Sequence, residues 1–230
     1  HWDKLVHRSY DKAINIWGAD HHGYVGRMQA AMDIFGQSGK LDIIIVQLVR
    51  LMSGGKEIKM SKRAGTFVTL DELTEAVGAD AVRFFFLMHD AHTHMDFDMD
   101  LARQKSKENP VYYVQYAHAR ICSILKKAKQ IRGAKQVRPR GQKPEQSELV
   151  LLKKLLKWPE YIADISQTYH VHRIPFYALE LATAFHDFYT HCQVIEENKI
   201  NERRLKLIQA AKIVLANVLH TMGIKAPERM

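Results

Sequence analysis

Apolar residues change their period along this chain. Before Asn109-Pro110 they come in short bursts between glycines and polar residues, and after it they recur every three or four positions. Ala13 to Trp17 (AINIW) is β-prone and stops at Gly18, which predicts a short strand of the buried type. Ala19-Asp20-His21-His22-Gly23 predicts a polar loop. Met28, Ala31, Met32 and Phe35 then return at helical spacing, with Gly36 as the stop. Strand, polar loop, helix is the unit in which parallel sheets hold ligands at the carboxyl end of the strand. Ile43 to Met52 predicts one further extended segment, Gly54-Gly55 a tight hairpin turn, and Lys56 to Gly65 a cationic loop. Thr69 and Glu72 have capping-box spacing ahead of Leu73 and Val77, and Gly78 ends that helix. Asp80 is expected to cap Ala81 to Met88, which Phe84, Phe85 and Phe86 mark as buried. Met95 to Asp100 alternates with period two, as a strand does, and Leu101 onward is helical up to Asn109.

The second half reads as helices. Pro110 disfavours helix at Asn109, so the domain boundary is placed there, giving 1–109 and 110–230. Tyr112 to Lys129 predicts one helix, and Arg132 to Gln146, with Gly133, Pro139, Gly141 and Pro144, a basic connector. Leu149, Leu152 and Leu156 start another helix, broken or restarted at Pro159. Leu181, Phe185, Phe188, Cys192 and Ile195 step by four, three, four and three along an amphipathic stripe. Leu205, Ile208, Ala211, Leu215, Val218 and Met222 form the last one, before a short tail with Pro227. The fold class is therefore α/β followed by all-α.

Charge adds a class of partner. Among 230 residues there are 34 Lys plus Arg against 25 Asp plus Glu, a net +9, which points to a polyanion such as nucleic acid. Cys122 and Cys192 cannot build a disulfide framework, and buried thiols in a reducing cytoplasm are expected. The longest apolar run, Ile43 to Val46, is far too short to cross a bilayer. The start at His1-Trp2-Asp3-Lys4 is neither a signal peptide nor a natural start, so a fragment is expected.

Lys59-Met60-Ser61-Lys62-Arg63 places three cations within five residues of a loop flanked by glycines. Such a loop either is a solvated basic turn or closes ammonium groups over a triphosphate as pyrophosphate leaves. Tyr116 and Arg120, four apart, share a helix face, and an aromatic with a guanidinium suits stacking and reading of an unpaired base. Periodicity by itself favours a core Tyr and a surface Arg. Asp96, Asp98 and Asp100 lack the Gly and terminal Glu of a calcium loop and read as strand-face carboxylates, with Asp100 capping the next helix. His89, His92 and His94 read as a solvated turn, and His21 with His22 lacks a third zinc ligand at sensible spacing, so no metal site is expected. The chain has no GxxxxGK[ST], GxGxxG or HExxH.

Over essentially its whole length the chain resembles the arginyl-tRNA synthetases. The resemblance rests on WGADHHGYVGRM (Trp17 to Met28), GKEIKMSKRAGTFVTLDEL (Gly55 to Leu73), GADAVRFFFL (Gly78 to Leu87) and MDFDMDLA (Met95 to Ala102). It continues through NPVYYVQYAHARI (Asn109 to Ile121) and ELATAFHDFY (Glu180 to Tyr189) to the closing APERM (Ala226 to Met230). It implies the end of a Rossmann-like class I catalytic domain with a connecting region, then an α-helical anticodon-binding bundle. It implies ATP with Mg2+, arginine and an arginine-specific tRNA as ligands of a cytoplasmic monomer that joins arginine to tRNA through arginyl-adenylate.

By the same resemblance Lys59 and Lys62 stabilise the activation transition state, with Met60 and Ser61 beside them. Gly18 and Asp20 approach the adenosine ribose, His22 neighbours that site, and Met52 offers backbone to adenine. Tyr116, Arg120, Tyr189 and Met230 face the anticodon. The family's His-x-Gly-His segment is absent, so the ATP site is half present and these residues alone are not expected to charge tRNA. The sheet, left incomplete, should expose an apolar face around Ile14 and Ile16. The alternatives are a non-catalytic tRNA-binding module or another class Ia synthetase, such as that for cysteine. The lack of a zinc cysteine set and the WGADHHGY string argue against the latter.

Overall fold

The computed structural model describes residues 1–58, 68–131, 135–137 and 142–230. They gather into two compact units, His1–Ile58 with His89–Phe97, and the described residues of Lys59–Met88 with Asp98–Met230. Asn109-Pro110 therefore lies inside the second unit.

In the first unit β1 (Ala13–Gly18) runs through a tight 3-10 turn (Ala19–Tyr24) into α1 (Val25–Ile34) and returns as β2 (Leu41–Val46). The two strands are parallel, in register from Ala13 opposite Leu41 to Gly18 opposite Val46. α1 turns Met32 onto Ala13, Leu41 and Leu5, with Met28, Ala31 and Ile43 packed around them. The strand is not buried throughout: Ile14 and Ile16, one residue out of phase with Ala13, stay 48% and 69% exposed. That is the exposed apolar face expected around Ile14 and Ile16.

The extended segment predicted from Ile43 to Met52 is two strands of two sheets. β1 offers no ladder partner beyond Val46, and the next groups turn to another segment. The Gln47 N–H donates to the Ala91 carbonyl at 2.9 Å, and the Met95 N–H donates to the Leu48 carbonyl at 3.4 Å. β3 (Val49–Ser53) then lies between β4 (Lys56–Glu57) and β5 (Met95–Asp98). Gly54 and Gly55, with φ of +59° and +72°, make the predicted hairpin turn and set Met52 opposite Glu57. Arg50 grips the Asp96 carboxylate with two hydrogen bonds of 2.6 and 2.9 Å, so Asp96 is a strand-face ion-pair partner.

The second unit opens with α2 (Leu70–Val77), whose capping box is closed by Thr69 and Glu72 at 2.7 and 3.1 Å. Gly78 begins α3 (Ala79–Leu87), so Asp80 does not cap it. Its carboxylate instead accepts from Gln115 Nε2 at 2.9 Å and from the Lys225 N–H at 3.4 Å. α4 (Met99–Arg103) is capped by Asp98, not Asp100: one Asp98 oxygen accepts the N–H groups of Asp100 and Leu101. The helix predicted on to Asn109 stops at Arg103 because the buried Asn109 amide takes the Ala102 and Gln104 carbonyls at 3.0 and 2.7 Å. The same side chain caps α5 (Pro110–Gln130) by accepting the Val111 N–H, and Pro110 fills the first turn.

Among the described residues α5, α6 (Gln146–Leu156), α8 (Arg173–His191) and α9 (Glu202–Thr221) pack together as a bundle. α7 (Trp158–Thr168) restarts at Pro159 and leans on α6. The stripe of α8 is as predicted through Leu181, Phe185 and Phe188 to the buried Cys192, but the helix ends at His191 and Ile195 begins β7 (Ile195–Glu196). On α9 Ile208, Ala211, Leu215 and Val218 are buried. On α6 the buried apolar side chains are Leu151 and Leu155, while Leu152 and Leu156 are exposed. The buried Glu148, paired to Arg203 of α9, sets that rotation. Within the basic connector β6 (Lys135–Val137) pairs with β8 (Lys199–Asn201), which pairs with β7.

Candidate nucleic-acid interface

Helix geometry puts residues four apart on one face, and on α5 that face carries Tyr112, Tyr116 and Arg120. Tyr112 and Tyr116 stack with ring centroids 6.3 Å apart and planes 10° from parallel. α8, packed beside it, brings His186 to 6.0 Å from Tyr116. It also sets Tyr189 under Arg120, whose guanidinium carbon lies 4.0 Å from the ring centre. Arg120 donates to the Tyr116 hydroxyl at 3.0 Å. The guanidinium plane is thus held between two half-exposed tyrosines, an arrangement worth about 0.5–2 kcal/mol per cation–π contact. Burial, and then the charge of Arg120, push the His186 imidazole below its ordinary pKa. Its buried Nε2 has no hydrogen-bond partner among the described residues.

The end of the chain completes the site. After α9 the buried Ile224 turns the tail back across α5. Gln115 Nε2 donates to the Lys225 carbonyl at 2.9 Å, and His118 Nδ1 donates to the Pro227 carbonyl at 2.8 Å. Lys212 binds Glu228 at 2.6 Å. These contacts deliver Arg229 and Met230 to a cleft of about 550 Å³ lined also by Tyr116, Arg120, Lys126 and Lys127. Met230 is half exposed at its mouth. Tyr116, Arg120 and Met230, separated by over a hundred positions, therefore line one cleft, and Tyr189 packs on Arg120 beside it. Such a surface offers π faces, a fixed fork of donors and added cations, the chemistry that holds a splayed base and its phosphates.

Sequence reasoning missed Tyr112, His186, Lys126, Lys127 and Arg229. Tyr112 was visible as one turn before Tyr116, and His186 as one turn before Tyr189.

In the first unit Gly18 ends β1, where an added Cβ would stand 2.7 Å from Asp20 Oδ1. The strand end and the carboxylate approach so closely that only glycine fits without displacing Asp20. His21 Nε2 lies 3.7 Å from the other Asp20 oxygen. Trp17, His21, Tyr24 and Met28 line a shallow cavity of about 480 Å³, and His22 is exposed on the same turn. Met52 is half-buried on β3, in the other sheet. Lys59, Met60, Ser61 and Lys62 lie outside the described residues. Among the described residues no three His, Cys, Asp or Glu side chains are grouped to hold a metal, and His89, His92 and His94 are exposed. Nor is any helix of the described residues long and apolar enough to cross a membrane.

A sequence profile of the DALR anticodon binding domain matches residues 114–230, just over half of the chain and the stretch that carries all four clustered side chains. The chain belongs to the DALR anticodon-binding family. Among relatives of this DALR-family chain, an arginine–tRNA ligase of Heliobacterium modesticaldum is 50% identical over 97% of the chain and 41% of the relative. One of Moorella thermoacetica is 48% identical over the same shares. A solved structure described as an arginyl-tRNA synthetase of Campylobacter jejuni superposes with a TM-score of 0.85 at 36% identity, covering 100% of this chain and 50% of that one. The DALR-family chain thus spans less than half the length of these curated relatives, and all of it is matched by parts of ligases.

Proposed function

We infer that this chain is the carboxyl-terminal portion of an arginine–tRNA ligase and that its helical unit reads the anticodon of the arginine-accepting tRNA. The observation that carries the reading is that Tyr116, Arg120 and Met230 line one cationic cleft while the Tyr189 ring lies against the Arg120 guanidinium beside it. In it Tyr116 and Tyr189 supply stacking faces, Arg120 supplies directed donors to a base edge, and Met230 closes the cleft with an adaptable apolar side chain. Lys126, Lys127 and Arg229 hold the adjoining phosphates.

The first unit belongs, in this reading, to the Rossmann-like catalytic domain. Its parallel β1–α1–β2 unit, with Gly18 tight against Asp20 at the strand end, suits approach of a ribose whose hydroxyls Asp20 accepts. His22 flanks that turn, and Met52 presents backbone to adenine. Lys59 and Lys62, with Met60 and Ser61, would offset charge on ATP as pyrophosphate leaves, and Mg2+ would supply further positive charge to the phosphates. The residue resemblance supports those roles and the picture of a cytoplasmic monomer charging tRNA with arginine.

Chemical footprinting of an arginine-accepting tRNA by the 230-residue chain tests the reading. Protection concentrated in the anticodon loop is expected. Protection confined to the acceptor end, or none at concentrations that saturate binding, contradicts it.

A further inference from the structure

A second cavity adjoins the cleft beneath Arg120. Ser123, Lys126 and Arg229 also line a larger groove of about 910 Å³ between α5 and α9, which runs on toward β6 and β8. Its rim adds Lys129, and its carboxylate, Glu228, is neutralised by Lys212 at 2.6 Å. Its wall is apolar where α9 presents Leu205 and Ile213, the latter 62% exposed although it sits on a packed helix. Gln136 and Gln209 supply amides beside that wall.

A cationic rim, an apolar wall and amide groups suit an unpaired nucleotide better than a duplex, which presents mainly phosphates and ribose. The volume falls within the range of small-ligand sites. The groove and the cleft share three lining residues and so lie side by side, within reach of adjacent nucleotides of one strand. We propose that the α5–α9 groove is a second nucleotide subsite. It takes the unpaired nucleotide next to the one in the Arg120 cleft, with the base against Ile213 and Leu205 and the phosphate toward Lys126, Lys129 and Arg229. The proposal rests on the anticodon-reading role inferred above and extends it by one position along the RNA.

The test is binding of the 230-residue chain to an RNA hairpin carrying the anticodon loop of an arginine-accepting tRNA, intact and with each loop nucleotide made abasic in turn. Ile213→Ala, on an exposed position, should weaken the intact hairpin about fivefold, the scale of one apolar side chain half covered by a base. That loss should vanish for one abasic hairpin, adjacent to the one for which Arg120→Ala loses its effect. Lys129→Gln should lower the slope of log affinity against log salt by about one. The subsite is overturned if Ile213→Ala binds every hairpin as the parent does, if its loss is the same for every abasic hairpin, or if the Lys129→Gln slope is unchanged. Arg120→Ala behaving as the parent on all hairpins would instead overturn the anticodon reading itself, so the two failures are distinct.

Discussion

Arg120 spreads one positive charge over a plane, and Tyr189 and Tyr116 hold that plane in place. Lysine at this position keeps the charge and loses both the plane and the fork of donors. Arg120→Lys should therefore leave overall tRNA affinity within about twofold, since long-range attraction to phosphate survives. It should cut discrimination between an arginine-accepting tRNA and an anticodon-altered one by about tenfold, the worth of a lost stacked or directed base contact. Equilibrium binding of both RNAs to both proteins checks this, and equal losses on the two RNAs would make Arg120 a phosphate contact. The pairing of Tyr116 with Arg120 was legible because both lie on one helix at a spacing of four. Their joining to Tyr189, His186 and Met230 was not, because periodicity reports one helix at a time; the resemblance, not the spacing, singled out Tyr189 and Met230.

Among the elements, α6 and the tail show what a few polar side chains decide. Burial pushes the Glu148 carboxyl up, but hydrogen bonds from Arg203 and the Glu145 N–H, with the charges of Arg203 and Arg204, outweigh it and leave it below the usual carboxylate range. A carboxylate depressed in the folded state adds stability above its unfolded pKa and loses it as pH falls through the folded one. Glu148→Gln should thus lower stability near neutral pH, by about 1–2 kcal/mol, because the Arg203 left behind is a third exposed. Its stability should also fall less steeply than the parent's between neutral pH and pH 3. Urea denaturation across pH measures both, and parallel curves would contradict the pairing.

His118, fully buried and pushed below its ordinary pKa by burial, holds the tail carbonyl of Pro227. If it acts by placing Met230, then His118→Ala and deletion of Met230 should each reduce anticodon discrimination several-fold, and the double variant no further than the worse single. Additive losses would show that the two act separately. The capping box at Thr69 and the Gly54-Gly55 turn were legible because their chemistry is local. The break at Gln47, the pairing of β6 with β8 and the rotation of α6 were not, since each is set by groups distant in sequence.

For the molecule as a whole, the net charge of +9 pointed to a polyanion, and the change of apolar period at Asn109 pointed to an α/β part followed by helices. The unit boundaries were less legible: α2, α3 and α4 gather with the bundle although they precede Pro110, because the contacts of Asp80 with Gln115 and Lys225 join residues far apart in the chain. Charge by itself binds any RNA, and its contribution falls steeply with salt, so affinity is a weak witness to function. Anticodon preference is a strong one. The decisive measurement is equilibrium binding of the unmodified 230-residue chain, at one fixed near-physiological salt concentration, to two tRNAs that differ in a single anticodon nucleotide. A preference of about tenfold or more for the arginine anticodon is predicted, the scale at which one wrong base is penalised in a specific nucleic-acid site. Equal affinities for the two would contradict the assignment of the Tyr116–Arg120–Met230 cleft, with Tyr189 beside it, as an anticodon reader.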